Sequence, residues 1–265
     1  MNYRTATDDD VEFFREHGWI VVDDVIDPED LTDLQARCDE IVTRRDELAF
    51  DWAWERGEDR AARQFRILQA MPNRNGELDD ARFRRWALDF ASALLGSRVE
   101  SWYDQFLAKP KDTSVPTRWH QDEAYWGRNL DGRGITCWMP FHDVDVDSGC
   151  MHFIDGGHRD GILLHERPAN IQSDLLECHP DERRTVACPV RLGGVTFHHG
   201  KTPHMTTANT VVPWRRVLTQ HFRQVGTEGE GDHYPWRVWV NQFTGEVFEP
   251  DARSDGGEPE DPTGM

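Results

Sequence analysis

The first third of the chain places its apolar residues at helical spacing. After Asp27, a typical helix N-cap, and Pro28, which suits the first helical turn, the apolar positions recur every three or four residues. They are Leu31, Leu34, Cys38 and Ile41. The same period predicts a helix over Asp79 to Leu95, and a short helix is predicted after Thr7. We therefore expect residues 1–97 to form a helical amino-terminal part that includes a partly helical flap over 50–76.

From residue 98 onward the pattern changes to short apolar runs that end at Gly, Pro or Asp, at intervals of roughly ten residues. The runs are Val99–Lys109, Gly134–His142, Cys150–Asp155, Thr185–Pro189, Gly194–His198 and Arg216–Arg223. Such even spacing favours a barrel or double-sheet jelly roll over a parallel sheet. The predicted fold is mainly β with flanking α-helices, around a double-stranded β-helix (jelly-roll, cupin-like) core at 98–224. Residues 225–250 are expected to pack on this core within one domain, 1–250, followed by a mobile acidic tail at 251–265.

Composition excludes several classes of partner. The 265 residues carry a formal net charge of −19, which repels phosphate backbones and anionic membrane surfaces. We therefore expect a small-molecule substrate, with no nucleic acid and no membrane; the sequence gives no signal of oligomeric state. The five cysteines form no C-x-x-C pair, no signal-like amino terminus is present, and no apolar run reaches the roughly 18 residues of a membrane span. A cytoplasmic protein with reduced thiols is the expectation.

The densest group of reactive side chains lies at 118–126. On a strand, residues two apart point the same way, so His120 and Asp122 can present a nitrogen and a carboxylate oxygen to one metal ion. Two histidines and one carboxylate with open positions suit iron(II) oxygenases. Among twelve histidines, His204 is favoured as the third ligand because small polar residues and then Arg215 and Arg216 follow it. This order predicts a histidine and an arginine close together across a turn, which a site for a metal and a dicarboxylic acid needs.

Other histidines are weaker candidates. His179-Pro180-Asp181 repeats the spacing, but its proline cannot donate to a sheet and its charged neighbours predict an exposed turn. His198 and His199 are interpreted as ordinary core or surface residues. His152 and His158 flank a Gly-Gly pair, and we interpret both as loop residues.

The chain resembles the phytanoyl-CoA dioxygenase-like (PhyH) branch of the 2-oxoglutarate oxygenases. The resemblance rests on Phe14 with His17-Gly18-Trp19-Ile20-Val21, Gln105-Phe106-Leu107-Ala108-Lys109-Pro110, His120-Gln121-Asp122, Trp138-Met139-Pro140-Phe141, Asp147-Ser148-Gly149-Cys150-Met151, Gly156-Gly157-His158-Arg159, His204 with Thr206 and Asn209, and Arg215. Relatives usually have a proline and a serine in the turn at 156–159. Most of the chain from residue 8 to 223 is matched in order, which is more specific than any single triplet.

The resemblance implies a set of roles. His120, Asp122 and His204 match the iron(II) ligands of enzymes that consume 2-oxoglutarate and O2. Arg215, eleven residues after His204, matches the arginine that binds the distal carboxylate, and a one-residue shift would put Arg216 there. Four further positions match co-substrate residues: Thr206, Lys109, Gln105 and Trp138. Related halogenases have a small residue in place of the carboxylate, so Asp122 favours hydroxylation, desaturation or oxidative ring closure.

The substrate is expected to be a small polar metabolite, neutral or cationic, such as an aminocyclitol, an amino sugar or an amino acid of secondary metabolism. Aromatic and cationic side chains near the metal motif and in the flap are candidates for binding it. They are Tyr125, Trp126, Arg128, Trp52 and Trp54. Two alternatives stay open on the sequence: a cupin-like metal-dependent isomerase or hydrolase without 2-oxoglutarate, and a non-catalytic jelly-roll binding protein.

Overall fold

The computed structural model describes residues 3–43, 50–51, 68–70, 76, 78–126, 130–166, 176–227, 239–240 and 247–248. The helices are α1 Asp8–His17, α2 Pro28–Thr43, α3 Arg82–Leu95 and α4 Glu123–Trp126. The strands are β1 Trp19–Val22, β2 Phe50–Asp51, β3 Leu68–Ala70, β4 Val99–Pro110, β5 Thr117–His120, β6 Gly134–Pro140, β7 Met151–Ile154, β8 Thr185–Cys188, β9 Val195–His199, β10 His204–Thr206, β11 Trp214–Gln224, β12 Trp239–Val240 and β13 Val247–Phe248. Within these ranges every helix falls short of the length and apolar character needed to cross a membrane.

Two antiparallel sheets form the body of the protein. The large sheet has seven strands in the order β1-β9-β6-β11-β4-β3-β2, and the small sheet has four in the order β5-β10-β7-β8. From β4 to β7 and from β8 to β11 successive strands alternate between the sheets, whereas β7 and β8 are neighbours within the small sheet. This is the double-stranded β-helix that the spacing of apolar runs predicts, so the predicted fold class is confirmed.

The central strands of the large sheet are buried on both faces. On its outer face α3 contributes Phe90, whose ring stacks on Phe197 of β9 with centroids 5.1 Å apart. On its inner face Trp138 and Val217 belong to an apolar cluster that includes Phe153 of the small sheet. Alternate residues of each central strand therefore point to the helices or into the space between the sheets. That inner space holds the candidate site.

The chain enters the large sheet through a well-defined helix end. Thr7 and Asp10 form a capping box at the start of α1, and Gly18 ends this helix with a left-handed φ of 78°. The turn brings Trp19 into β1, where it lies opposite His198 of β9. The predicted helix after Thr7 and its stop at Gly18 are thereby confirmed.

Two sequence-based placements were wrong. His152 lies on β7 and not in a loop, and His204 begins β10 of the small sheet, whereas Arg215 lies on β11 of the large sheet. The connection 207–213 therefore joins two different sheets, and the two residues lie on facing sheets and not on the paired strands of one hairpin. A three-residue strand of alternating polarity, such as His204–Thr206, carries too few apolar positions to be detected from its pattern. Other differences concern ends, such as the start of α3 at Arg82 in place of Asp79, and short elements that the pattern did not predict, namely α4 and, within the flap segment, β2 and β3.

Several predictions lie outside the described residues. They concern most of the flap at 50–76, the substrate candidates Trp52, Trp54 and Arg128, most of the segment 225–250, and the tail at 251–265.

Candidate functional site

His120 and His204 lie directly opposite each other in the small sheet. His120 ends β5, His204 begins β10, and the two are paired in antiparallel register. Asp122 follows β5 by two residues, just before α4 begins at Glu123. One ligand atom from each of these histidines and one carboxylate oxygen of Asp122 lie within 4.8 Å of one another. The structure thus brings the three predicted metal ligands together.

Both imidazole rings are fixed with Nε2 towards Asp122. Nδ1 of His120 donates to the Arg118 carbonyl at 2.7 Å, and Nδ1 of His204 donates to the Thr202 carbonyl at 2.9 Å. Because a carbonyl only accepts, each Nδ1 carries the proton of the neutral ring and each Nε2 keeps a lone pair. The two Nε2 atoms lie 3.8 Å and 3.5 Å from Oδ1 of Asp122.

The charges of the three groups suit a bound cation. Burial lowers the pKa of His120, and burial followed by the neighbouring imidazoles lowers that of His204 well below its usual range. Burial opposes ionisation of Asp122, but His204 and His198 outweigh it and hold the pKa of Asp122 well below its usual range. Two bare nitrogens and an ionised oxygen thus converge without a proton between them, and such acceptors repel one another unless a cation lies among them.

The second oxygen of Asp122 is held by the large sheet. Oδ2 accepts hydrogen bonds from Thr136 Oγ1 at 2.6 Å and from His198 Nε2 at 3.0 Å. His221 lies behind them, with Nδ1 3.0 Å from Thr136 Oγ1. The sequence did not single out Thr136 or His221, and its interpretation of His198 as an ordinary core or surface residue misses this contact. These residues are recognised from the register of β9, β6 and β11, which places the three side by side. A single sequence does not contain that register.

Two buried cations lie next to the cluster. Arg215 of β11 and Lys109 of β4 are directly opposite in antiparallel register, and they are 1% and 0% exposed. Lys109 Nζ donates to Thr206 Oγ1 at 2.7 Å, and Thr206 is on the same side of β10 as His204. Among the residues that the structure describes, Nε and Nη1 of Arg215 have no hydrogen-bond partner.

Burial is the main cause of the pKa shift of both cationic side chains. It holds the pKa of Lys109 well below its usual range, with the Arg215 charge adding to the effect, and it lowers the pKa of Arg215 to about 9. A buried cation is costly unless it is paired with an anion. Two of them side by side, one with unpaired N–H groups, therefore indicate the binding site of an anionic group.

Two further predicted co-substrate residues lie on the same inner face. The Trp138 ring is buried and lies 5.8 Å from the Arg215 guanidinium carbon, so it supports that side chain by a cation–π contact. Gln105 is on β4, with Oε1 3.1 Å from His221 Nε2. Trp138 thus contacts the cation pair, whereas Gln105 belongs to the polar group around His221.

Arg216 points the other way. Its guanidinium pairs with Asp39 of α2 on the outer side of the large sheet. Successive residues of a strand face opposite sides, so Arg215 and Arg216 cannot occupy the inner space together. The structure places Arg215, and not its neighbour, beside Lys109.

The substrate candidates separate into two groups. Tyr125 is half-buried beside His120, with ring centroids 6.0 Å apart in an edge-on arrangement, and its hydroxyl accepts a hydrogen bond from Leu176 N at 2.7 Å. Trp126 is buried, and its indole N–H donates to the Tyr103 hydroxyl at 2.7 Å. Tyr125 is therefore at the edge of the cluster, whereas Trp126 packs behind it. Trp52, Trp54 and Arg128 are outside the described residues.

The rival histidine motif lies on the surface. Asp181 accepts a hydrogen bond from Arg183 N and pairs with the Arg183 side chain, at the start of a short 3-10 turn. His179 lies close to Glu166 and Glu177, but the group is largely exposed and Glu177 pairs with Arg118 at 2.5 Å. Its three ligand atoms also lie within 4.8 Å of one another, but exposure to water and these ion pairs make it a weaker metal site than the buried inner cluster.

Comparison with known proteins places the chain in a family. The family model described as Phytanoyl-CoA dioxygenase (PhyH) matches residues 14–217. Phytanoyl-CoA dioxygenase domain-containing protein 1 of Danio rerio is 32% identical over 111 residues, which are 40% of this chain and 38% of that protein. Its counterpart in Rattus norvegicus is 29% identical over 137 residues, 49% of this chain and 46% of that protein. The matched segments span less than half the length of these curated relatives.

Solved structures of similar fold cover more of the chain. EvdO2 from Micromonospora carbonacea var. aurantiaca, complexed with 2-oxoglutarate, superposes with a TM-score of 0.70 at 27% identity and covers 86% of this chain and 96% of that one. SnoK, a non-heme alpha ketoglutarate dependent carbocyclase from nogalamycin biosynthesis, superposes with a TM-score of 0.66 at 23% identity. The match covers 99% of this chain and 95% of that one. At that identity SnoK supports the fold alone.

The match to the family model includes both parts of the candidate site. Residues 14–217 contain the His–Asp–His cluster and the pair of Lys109 and Arg215. The family predicted from the sequence is thus confirmed: the chain belongs to the phytanoyl-CoA dioxygenase (PhyH) family, whose members are non-haem iron, 2-oxoglutarate-dependent oxygenases.

Proposed function

We propose that this chain is an iron(II)- and 2-oxoglutarate-dependent oxygenase in which His120, Asp122 and His204 hold the metal. Two buried cations beside three convergent acceptors carry the proposal. A 2-oxo dicarboxylate has one carboxylate for Lys109 and Arg215 and a 2-oxo acid group for a metal ion. The similar protein EvdO2, at 27% identity, was solved with 2-oxoglutarate, which supports this choice of dicarboxylate.

The metal-binding residues fit iron(II). Two neutral imidazole nitrogens and one carboxylate oxygen, with other positions open, form the ligand set of non-haem iron oxygenases. The Arg118 and Thr202 carbonyls orient the rings, because each accepts an Nδ1–H and thereby keeps Nε2 available. Bound iron(II) would supply the activation of O2 that is coupled to oxidative decarboxylation of 2-oxoglutarate to succinate and CO2.

The cation pair would bind and orient the co-substrate. Arg215 offers N–H donors that have no partner in the described part of the chain, and a guanidinium can bind a carboxylate through two parallel hydrogen bonds. Thr206 accepts from Lys109 Nζ, so its own hydroxyl proton is available to the same carboxylate. Because both cations are almost fully buried, bulk water is excluded and their attraction for an anion is stronger than at the surface.

The prime substrate is proposed to be a small polar metabolite that is neutral or cationic, undergoing hydroxylation, desaturation or oxidative ring closure. The net charge of −19 favours such a molecule over an anionic one. Tyr125 supports the proposal locally, because its half-buried ring stands beside His120 and offers an aromatic face at the edge of the cluster. We assign the oxygenase domain to residues 1–250.

Release of succinate from 2-oxoglutarate tests the reaction. Purified protein is incubated with iron(II) in air, first alone and then with a library of neutral, cationic and anionic metabolites. We expect iron-dependent succinate above background and a larger release with the true substrate. Absence of iron-dependent succinate under all these conditions would reject the oxygenase. Equal stimulation by anionic acyl-CoA esters and by cationic amines would remove the charge-based choice of substrate class and leave the oxygenase intact.

A further inference from the structure

A row of side chains crosses the inner face of the large sheet beneath Asp122. Its members are directly paired neighbours on the adjacent strands β1, β9, β6, β11 and β4. They are Trp19, His198, Thr136, His221 and Tyr103. The two outer members are aromatic and the three inner members are polar. The polar part of the row therefore lies where it meets the carboxylate.

The hydrogen bonds of the row have a definite direction. Oδ2 of Asp122 belongs to a carboxylate and only accepts, so Thr136 Oγ1 and His198 Nε2 both donate to it. The Thr136 proton is then committed, and the contact at 3.0 Å from His221 Nδ1 requires that His221 donates to Thr136. Oδ2 thus receives two donors from the large sheet, whereas Oδ1 points to His120 and His204 of the small sheet.

The buried imidazole of His198 carries a cost in the free energy of folding. With its proton on Nε2, its Nδ1 is a buried acceptor that has no partner among the described residues. A buried polar atom without a partner destabilises the fold, whereas phenylalanine would fill the same space without that atom. The ring already packs 4.2 Å from His204 and 5.4 Å from Phe153, contacts that an apolar ring would also make. Packing therefore does not explain the imidazole, and its hydrogen bond to Asp122 does.

We propose that His198 is a positioning residue for the iron site. By donating Nε2–H to Oδ2, His198 holds the Asp122 carboxylate so that Oδ1 alone is offered to the metal, with Thr136 as the second donor. The inference rests on the proposed iron-dependent function. Outer hydrogen-bond partners of ligating carboxylates commonly affect metal affinity by about 10- to 100-fold.

Iron(II) binding under anaerobic conditions tests the proposal. Two variants separate the hydrogen bond from packing: His198→Phe keeps a ring without a donor, and His198→Gln keeps an N–H donor without the ring. We expect His198→Phe to bind iron(II) about 10- to 100-fold more weakly. His198→Gln should recover most of the affinity. The charge-transfer absorption of the iron(II)–2-oxoglutarate complex should shift in His198→Phe and remain close to wild type in His198→Gln.

The adjacent residue supplies a matched control. His199 is on the same strand but faces Phe14 and His158, away from Asp122, and its Nδ1 accepts a hydrogen bond from Lys201 N at 3.0 Å, so His199→Phe also removes a hydrogen-bonded imidazole, on the other face of the sheet. It should bind iron(II) as the wild type does. Wild-type affinity and spectrum in His198→Phe, equal losses in His198→Phe and His198→Gln, or an equal loss in His199→Phe would each overturn the inference. A wild-type protein that binds no iron would instead reject the proposed function, and the inference with it.

Thr136→Val provides a second route if His198→Phe does not fold. It removes the other donor to Oδ2 with little change of shape. Held by His198 alone, Asp122 should bind iron(II) more weakly than in wild type and show the same direction of spectral shift. Unchanged affinity and spectrum in Thr136→Val would mean that Oδ2 does not need two donors, which contradicts the part of the inference that assigns the second donor to Thr136.

Discussion

Arg215 and Lys109 are direct cross-strand neighbours on β11 and β4, and both are buried. Like charges in this arrangement destabilise a sheet. Within the described residues both side chains contact neutral groups: Lys109 donates to the Thr206 hydroxyl and the Thr207 carbonyl, and Arg215 packs against Trp138. An anion bound against both side chains would offset the repulsion, so the pair is better explained by a ligand than by stability.

Replacing Arg215 should weaken 2-oxoglutarate binding. Arg215→Ala removes charge-assisted hydrogen bonds, each of which contributes about 1.5–3 kcal/mol. We expect the dissociation constant for 2-oxoglutarate to rise roughly ten- to a hundredfold. Titration calorimetry of the iron-loaded protein under anaerobic conditions measures it. Binding and activity unaffected by this change would favour a cupin-like enzyme that does not use 2-oxoglutarate.

Arg216→Ala is the matched control for that substitution. It removes the same side chain one residue later, where the guanidinium pairs with Asp39 on the outer face. The dissociation constant for 2-oxoglutarate should stay at its wild-type value. Loss of the partly buried ion pair is expected to lower the free energy of unfolding by no more than about 1 kcal/mol. If Arg216→Ala weakened 2-oxoglutarate binding more than Arg215→Ala does, the assignment of the two arginines would be reversed.

Binding of 2-oxoglutarate should be coupled to proton uptake by Lys109. Burial, followed by the Arg215 charge, depresses the pKa of this lysine, and a bound carboxylate would favour the ammonium form and raise that pKa. Affinity should therefore fall as pH rises past the depressed pKa, because the amine must then gain a proton for binding. Calorimetry in buffers of different ionisation enthalpy measures the uptake. Lys109→Met should bind more weakly and lose this component, and the same uptake in Lys109→Met would assign it to another group.

Much of the fold follows from local pattern. The apolar residues of α3 recur at helical spacing because they cover the large sheet, and Phe83, Trp86 and Phe90 are all buried there. The strands on either side of the site, β4 and β11, are long and apolar enough to be predicted. The strand His204–Thr206 was missed because it spans three residues and only Met205 is apolar, so its pairing with β5 and β7 is what makes it a strand.

Part of the candidate site was predictable from the sequence, because two of its residues are close together along the chain. His120 and Asp122 are two residues apart in one segment, so their proximity follows from local geometry alone. The surroundings of Asp122 depend on the register of three strands from distant parts of the chain, which puts His198 next to Thr136 and Thr136 next to His221. No spacing within one segment encodes that arrangement. Side-chain direction likewise separates Arg215 from Arg216 only once the inner face of β11 is known.

Asp122→Asn should abolish iron binding without destabilising the metal-free protein. The amide carbonyl can accept from Thr136 and His198, which directs its NH2 group towards the bare Nε2 atoms of His120 and His204. In the absence of a cation the two bare nitrogens would then face a donor in place of another acceptor, which removes the repulsion among the three groups. We expect iron(II) affinity to fall by more than about a hundredfold, because even outer partners of a ligand contribute 10- to 100-fold. The melting temperature of the metal-free protein should remain equal or rise.

The same substitution in the rival motif is its control. Asp181→Asn changes an exposed carboxylate that pairs with Arg183, and it should leave iron(II) affinity and stoichiometry unchanged. Iron stoichiometry is measured after anaerobic loading and gel filtration, and melting by differential scanning fluorimetry. Retention of stoichiometric iron in Asp122→Asn, or its loss in Asp181→Asn, would contradict the assignment of the metal ligands.

Gly149 should control the position of Arg215. It has a left-handed φ of 88°, and a Cβ atom there would lie 3.0 Å from the Thr207 carbonyl oxygen and 3.5 Å from Arg215 Nε. Gly149→Ala should therefore cost about 1–2 kcal/mol of stability through its backbone. It should also displace the groups around the co-substrate carboxylate and weaken 2-oxoglutarate binding by up to about a hundredfold, the scale reached when a positioning group moves by roughly 1 Å. Gly226→Ala separates the two effects, because Gly226 has a similar φ of 81° and no atom of the described residues lies within 4 Å of its added Cβ. Urea denaturation should show similar losses in both variants, whereas calorimetry should show weaker 2-oxoglutarate binding only in Gly149→Ala; equal binding by the two would mean that Gly149 serves the turn and not the site.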